Sequence, residues 1–148
     1  MQLKNSLLPF LTLVMLAVAG SNQLCAQTYR IGGVDARGVR TYIEVYEYDY
    51  VNQKPTFPGG DAKMVNFINE TREYPAKAYH DGVEGRVTCS FIVNADGSIS
   101  HVRVLRRVEP SLDQEAVRIL KQMPAWVPGR HEGRPVPVRV VYAVAFRK

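Results

Sequence analysis

Three histidines, two cysteines and scattered carboxylates are the side chains through which this 148-residue sequence could do chemistry. A metal site asks for ligands at short spacing or on facing elements. His80, His101 and His131 fall in three separate segments without paired ligand spacing, so each reads as a lone surface or loop histidine. A catalytic serine presented by a sharp strand–turn–helix elbow has no counterpart here. Asp113 and Glu115 sit at the start of a predicted helix, where acids favour the helix dipole without any catalytic role. Gly59-Gly60 precedes another predicted helix but lacks the fuller glycine fingerprint of a phosphate cradle. Cys89 alternates with Val87, Phe91 and Val93 and reads as a small buried hydrophobe rather than a nucleophile. No catalytic group, metal or cofactor is implied, and the expectation is a protein that is not an enzyme.

The elements around these residues explain why. Lys4, an apolar run from Leu7 to Ala19 and a polar stretch ending Leu24-Cys25-Ala26-Gln27 make the three-part layout of a secretory signal peptide, residues 1–26, cut after Ala26. The apolar run is shorter than the roughly 20 residues of a membrane-spanning helix. Asn22-Gln23-Leu24 ahead of Cys25 lacks the small residues of a lipoprotein cut. A membrane association is expected only if the leader is retained. The formal net charge of +5 falls by the one base of the leader, Lys4, to +4, and the remaining charge is spread along the chain. That suits a solvated surface or an acidic partner. Stacking on nucleic acid would need exposed aromatics on the sheet, whereas Tyr142 and Phe146 share the apolar face of their strand, so no nucleic acid is expected.

Residues 27–54 read as a lead-in: little periodicity through Gly38, then an alternating strand from Thr41 to Val51. Asp61 is placed to cap a helix carrying Met64, Val65, Phe67 and Ile68, which ends near Arg72. Pro75 opens a short second helix that stops at Asp81-Gly82. Arg86–Asn94 and Ser98–Arg106 alternate on either side of Asn94-Ala95-Asp96-Gly97, the pattern of a β-hairpin. Val102 and Val104 share one face of its second strand, with Ile99 and Leu105 on the other. Ser111, with Gln114 three residues on, fits a capping box for a helix bearing Leu112, Ala116, Ile119, Leu120 and Met123. A last strand from about Val136 puts Val136, Val138, Val140, Tyr142, Val144 and Phe146 on one face. Pro137 cannot donate a ladder hydrogen bond, so this strand is expected at a sheet edge.

Strand, helix, hairpin, helix, strand predicts an α+β fold: a small antiparallel sheet with two helices packed on one face. A right-handed crossover orders it as second hairpin strand, first hairpin strand, final strand.

Pro55-Thr56-Phe57-Pro58-Gly59-Gly60, Tyr74-Pro75-Ala76, Gly85-Arg86-Val87, Phe91-Ile92-Val93-Asn94 with Asp96-Gly97, Leu112-Asp113 with Glu115-Ala116, Met123-Pro124, Trp126, Pro128-Gly129 and the strand closing at Phe146 together resemble the TonB C-terminal domain in its Bacteroidetes-type form. The resemblance covers residues 55–148. It implies a periplasmic module of the Gram-negative envelope, active in TonB-dependent transport, that grips a segment of an outer-membrane receptor or other envelope protein by strand addition. The partner-binding residues it implies are Val136, Val138, Arg139, Val140, Val141, Tyr142, Ala143 and Val144. A membrane-anchored energy transducer with a retained leader, or a homodimer paired edge to edge, are the alternative readings.

Overall fold

The computed structural model describes residues 27–148; the expected leader, with Cys25 and the expected cut after Ala26, lies outside the described residues. The elements run β1 (Thr28–Val34), β2 (Arg40–Glu47), α1 (Asp61–Thr71), α2 (Ala76–His80), β3 (Gly85–Val93), β4 (Ile99–Arg106), α3 (Pro110–Lys121), β5 (Arg130–His131), β6 (Arg134–Pro135) and β7 (Val138–Phe146). Five strands form one sheet in the order β1-β2-β7-β3-β4, and β5-β6 is a separate two-stranded ribbon. The antiparallel trio β7-β3-β4 is the one the hairpin and crossover predict.

One face of the trio makes the main core. Val87, Cys89, Phe91 and Val93 of β3 and Val140, Val144 and Phe146 of β7 meet Met64, Ile68, Leu112, Ala116, Ile119, Leu120 and Trp126. Each large side chain buried here contributes about 1.5–3 kcal/mol of transfer free energy.

The helix ends differ from their sequence reading. α1 is capped by Gly60 at φ 89°, a left-handed conformation that leaves Asp61 as the first helical residue. α3 is capped by Glu109, whose carboxylate accepts from the Ser111 and Leu112 backbone N–H groups at 2.9 and 3.4 Å. Pro110 occupies the first turn, where a missing N–H goes unnoticed. Ser111 does not act as the cap because its hydroxyl donates to that same Glu109 carboxylate. Asp113 lies in the first turn and accepts from Val108 N–H at 3.0 Å. Glu115 lies further along, where it accepts from Glu73 N–H and from the Arg118 guanidinium, all at 2.7 Å. Arg118 also donates to the Thr71 carbonyl, so this pair ties the end of α1 to α3.

β4 is irregular. Ile92 faces Ser100 while Ser90 faces Arg103, so three steps on β4 match two on β3. The extra residue falls beside His101, at φ 52°. A bulge of this kind reverses the side-chain alternation, so Ile99 joins Val102 and Val104 against the core instead of siding with Leu105.

Part of the segment 27–54 joins the sheet, as β1 and β2. β1 and β2 form a regular hairpin, where the sequence reading had a loose lead-in and then a strand through Val51. Its turn is fixed by the Asp35 carboxylate, which accepts from the Arg37 and Val39 N–H groups at 2.9 Å each. β2 stops at Glu47 because Tyr50 N–H turns back to the Glu47 carbonyl at 3.0 Å. β2 then pairs parallel with β7 over two residues only, Tyr46 with Val138 and Glu47 with Arg139. The sheet is therefore antiparallel apart from this short junction. Val45 and Ile92 are fully or nearly buried, yet they lie outside the helix-side core. Tyr29, the neighbour of Val45, sits under the Arg139 guanidinium at 5.9 Å. The hairpin thus covers part of the face that the helices leave open.

Candidate partner-binding edge

Along a strand, the N–H and C=O of one residue turn to the same side, and successive residues alternate. The Pro137 carbonyl accepts from Tyr46 N–H at 2.8 Å, and the Ala145 carbonyl accepts from the Arg72 guanidinium at 2.6 Å. Both acceptors lie on the side away from β3. Arg139, Val141 and Ala143 share their parity, so their backbone groups face outward as well. β2 reaches no further than Arg139. Val141 and Ala143 therefore present N–H and C=O groups that pair with no strand among the described residues.

A groove of about 1030 Å³ runs beside this open stretch. Its floor is Arg139, Val140, Val141 and Tyr142, with Trp126 and Pro55 below. Asp61, Met64 and Val65 of α1 form one wall, and Gln27 with Glu47 to Tyr50 forms the other.

Residues 70–147, more than half of the chain, match the family described as Gram-negative bacterial TonB protein C-terminal. The chain belongs to this family. The chain is also 28% identical over 83 residues to the proteins named Protein TonB from two strains of Helicobacter pylori, covering 55% of its own length. It spans less than a third of those relatives, 29% and 30% of their lengths. The solution structure of the Helicobacter pylori TonB C-terminal domain is 26% identical, with a TM-score of 0.42 over 56% of this chain and 89% of that one.

The segment matched to the TonB C-terminal family holds the groove floor, while Asp61, Met64, Val65 and the hairpin wall lie before it. The residues expected to bind a partner divide into three groups. Val136 precedes β7, and its N–H donates to the Gly129 carbonyl at 3.0 Å. Val138 and Arg139 are already paired with β2. Only Val140, Val141, Tyr142, Ala143 and Val144 line an open edge. The expectation of a free edge along the whole final strand is corrected on this point. Pro137 marks not a bare edge but the place where β2 attaches, because that attachment needs its carbonyl alone.

Arg139 reaches Glu47 with two nitrogens, at 3.3 and 3.2 Å, and so clamps the hairpin to β7. Burial raises the Tyr29 phenol above its ordinary value, against the opposing charge of Arg139. Burial and then the Asp61 carboxylate raise the Tyr142 phenol as well. The His131 ring packs at a tilt against Tyr50 and Tyr46, with ring centres 4.7 and 5.3 Å away. Among the described residues, no three His, Cys, Asp or Glu side chains gather as a metal site would require. Burial, followed by the charge of Asp113, pushes the Cys89 thiol up to about 11.

Sequence reasoning missed Arg72, Met64, Val65, Trp126 and the hairpin wall as parts of the site. Arg72 follows a helix and looks like any surface cation. Nothing in its neighbours announces that it reaches a carbonyl of the last strand, 73 residues away.

Proposed function

We propose that this protein is a non-enzymatic binding domain of the Gram-negative envelope, which receives an extended segment of an outer-membrane receptor or another envelope protein as an added strand beside β7. The observation that carries this reading is the unpaired backbone of Val141 and Ala143, with Val141 itself lining the groove. Strand addition satisfies those groups through main-chain hydrogen bonds, while side chains at alternate positions meet the walls. Membership of the TonB C-terminal family supports the same reading, and with it a role in TonB-dependent transport is proposed.

The proposed location is the periplasm, reached through a leader removed after Ala26. Among the described residues no helix is long and apolar enough to cross a membrane. Mass spectrometry of the protein from its producing cells tests this: a start at Gln27 supports the periplasmic module, and an intact Met1 start supports an anchored transducer.

The binding test is an amide-shift titration with plug-segment peptides of co-occurring outer-membrane receptors. Shifts centred on Val140–Val144 are expected, and Val141→Pro should weaken binding at least tenfold. Val141 N–H points away from β3, so proline there removes an edge donor and leaves the β3–β7 ladder intact. Unchanged affinity in that variant would sink the strand-addition mechanism.

A further inference from the structure

The open edge has two stops and one unbalanced charge, and these say what the added strand must be like. At one end β2 already holds Arg139. At the other, the Arg72 guanidinium already holds the Ala145 carbonyl. Between them lie residues 140–144, about five residues or ~17 Å of extended chain. A longer strand must displace either the hairpin or Arg72.

The side-chain environment differs on the two sides of such a strand. Tyr142 points to the helix side, where Val65, 45% exposed, offers apolar surface beside the buried Met64. The ion pairs of the groove are distributed unevenly. Glu47 is answered by Arg139 at 3.2 Å and Asp49 by Lys54 at 3.2 Å. Asp61 lines the groove close enough to act on Tyr142 and has no cation within salt-bridge reach among the described residues. On a chain of net positive charge, this groove is locally acidic.

We infer that the groove selects a short extended segment of about five residues that carries a lysine or arginine on its helix-facing side, opposite Asp61, between apolar neighbours. The inference rests on the strand-addition reading and adds to it the length and charge of the partner segment. The cation would lie beside Tyr142, and the flanking apolar side chains would cover Met64 and Val65. Asp61 and the hairpin wall both precede the segment matched to the family, residues 70–147.

The test is calorimetric titration of the protein, as its cells process it, with two capped peptides, acetyl-Val-Thr-Lys-Thr-Val-amide and its counterpart with Glu for Lys. One exposed ion pair shifts affinity by up to about fivefold, and replacing attraction by repulsion roughly squares a smaller factor. The lysine peptide should therefore bind about tenfold tighter at low salt. The ratio should collapse in 0.5 M salt, where the screening length falls to ~4 Å. Asp61→Asn should bring the ratio within about threefold, and Asp61→Lys should invert it. Equal affinities for the two peptides, both still weakened by Val141→Pro, would overturn the charge selection and leave strand addition standing. No binding of either peptide at millimolar concentration would overturn both.

Discussion

Glu115 shows how a single carboxylate can be held in its charged form by its surroundings. Burial works against its charge, but the Arg118 side chain, the Glu73 N–H and the Arg118 charge outweigh that and keep its carboxyl below the usual value. A carboxyl depressed in the folded state stabilises above its unfolded value, and that stability is lost as the proton returns on the way down. Glu115→Gln should cost about 1–2 kcal/mol at pH 7, the worth of charge-assisted hydrogen bonds. The gap should be full above about pH 4.3 and close below it. Urea unfolding of both proteins at pH 7 and pH 3 checks the sign. Cys89 gives a second residue-level prediction, since its thiol is buried and pushed up to about 11. It should resist a thiol reagent at pH 7 in the native protein and react promptly once urea unfolds the chain, which a timed labelling assay distinguishes. The burial of Cys89 was legible from alternation alone. The role of Glu115 was not, because its partners Glu73 and Arg118 meet it only after α1 and α3 have packed.

Among the elements, the β1–β2 hairpin is the loosely held one. It makes a full ladder with itself, but only Tyr46 and Glu47 pair with β7. Local opening takes the least free energy where few contacts are broken. Backbone amides of residues 30–45 should therefore exchange with solvent well before those of β3, by about a hundredfold or more in a native-state hydrogen-exchange series. Equal protection would mean that the face around Val45 and Ile92 holds the hairpin as firmly as the core holds β3. The elements also divide by how plainly the sequence declares them. β3, β7 and α3 follow uninterrupted periods of two or 3.6, and their faces come out as read. β1 is hidden because Gly32-Gly33 breaks its alternation, and only pairing with Arg40–Glu47 makes it a strand. The far side of β4 is misread because one extra residue at His101 shifts the parity, and no local signal marks it.

The described residues form a sheet with the helices against one face and a hairpin lying partly across the other. The groove exists only where these two coverings meet the side of β7. A variant lacking residues 27–47 should keep the β7-β3-β4 trio and its helices, because the helix-side core contains nothing from that segment. It would uncover Ile92 and lengthen the open edge back to Arg139. Sedimentation should show such a variant associating at micromolar concentration while the parent stays at lower mass. Near-ultraviolet circular dichroism should remain native, since Trp126 packs on Phe57 and Phe91, both retained. Loss of that signal would mean that the hairpin is needed for the fold itself.

The bulge in β4 carries a consequence of a different kind. A ladder hands its phase from one strand to the next, which is how a sheet seeds indefinite growth in a fibre. At His101 the phase of β4 slips by one residue, and it slips again at Leu105, so a straight strand laid along its outer side would fall out of step twice. On that side the sheet is a poor seed for growth: the strand addition proposed along β7 would have, at the opposite margin, a terminus rather than a template.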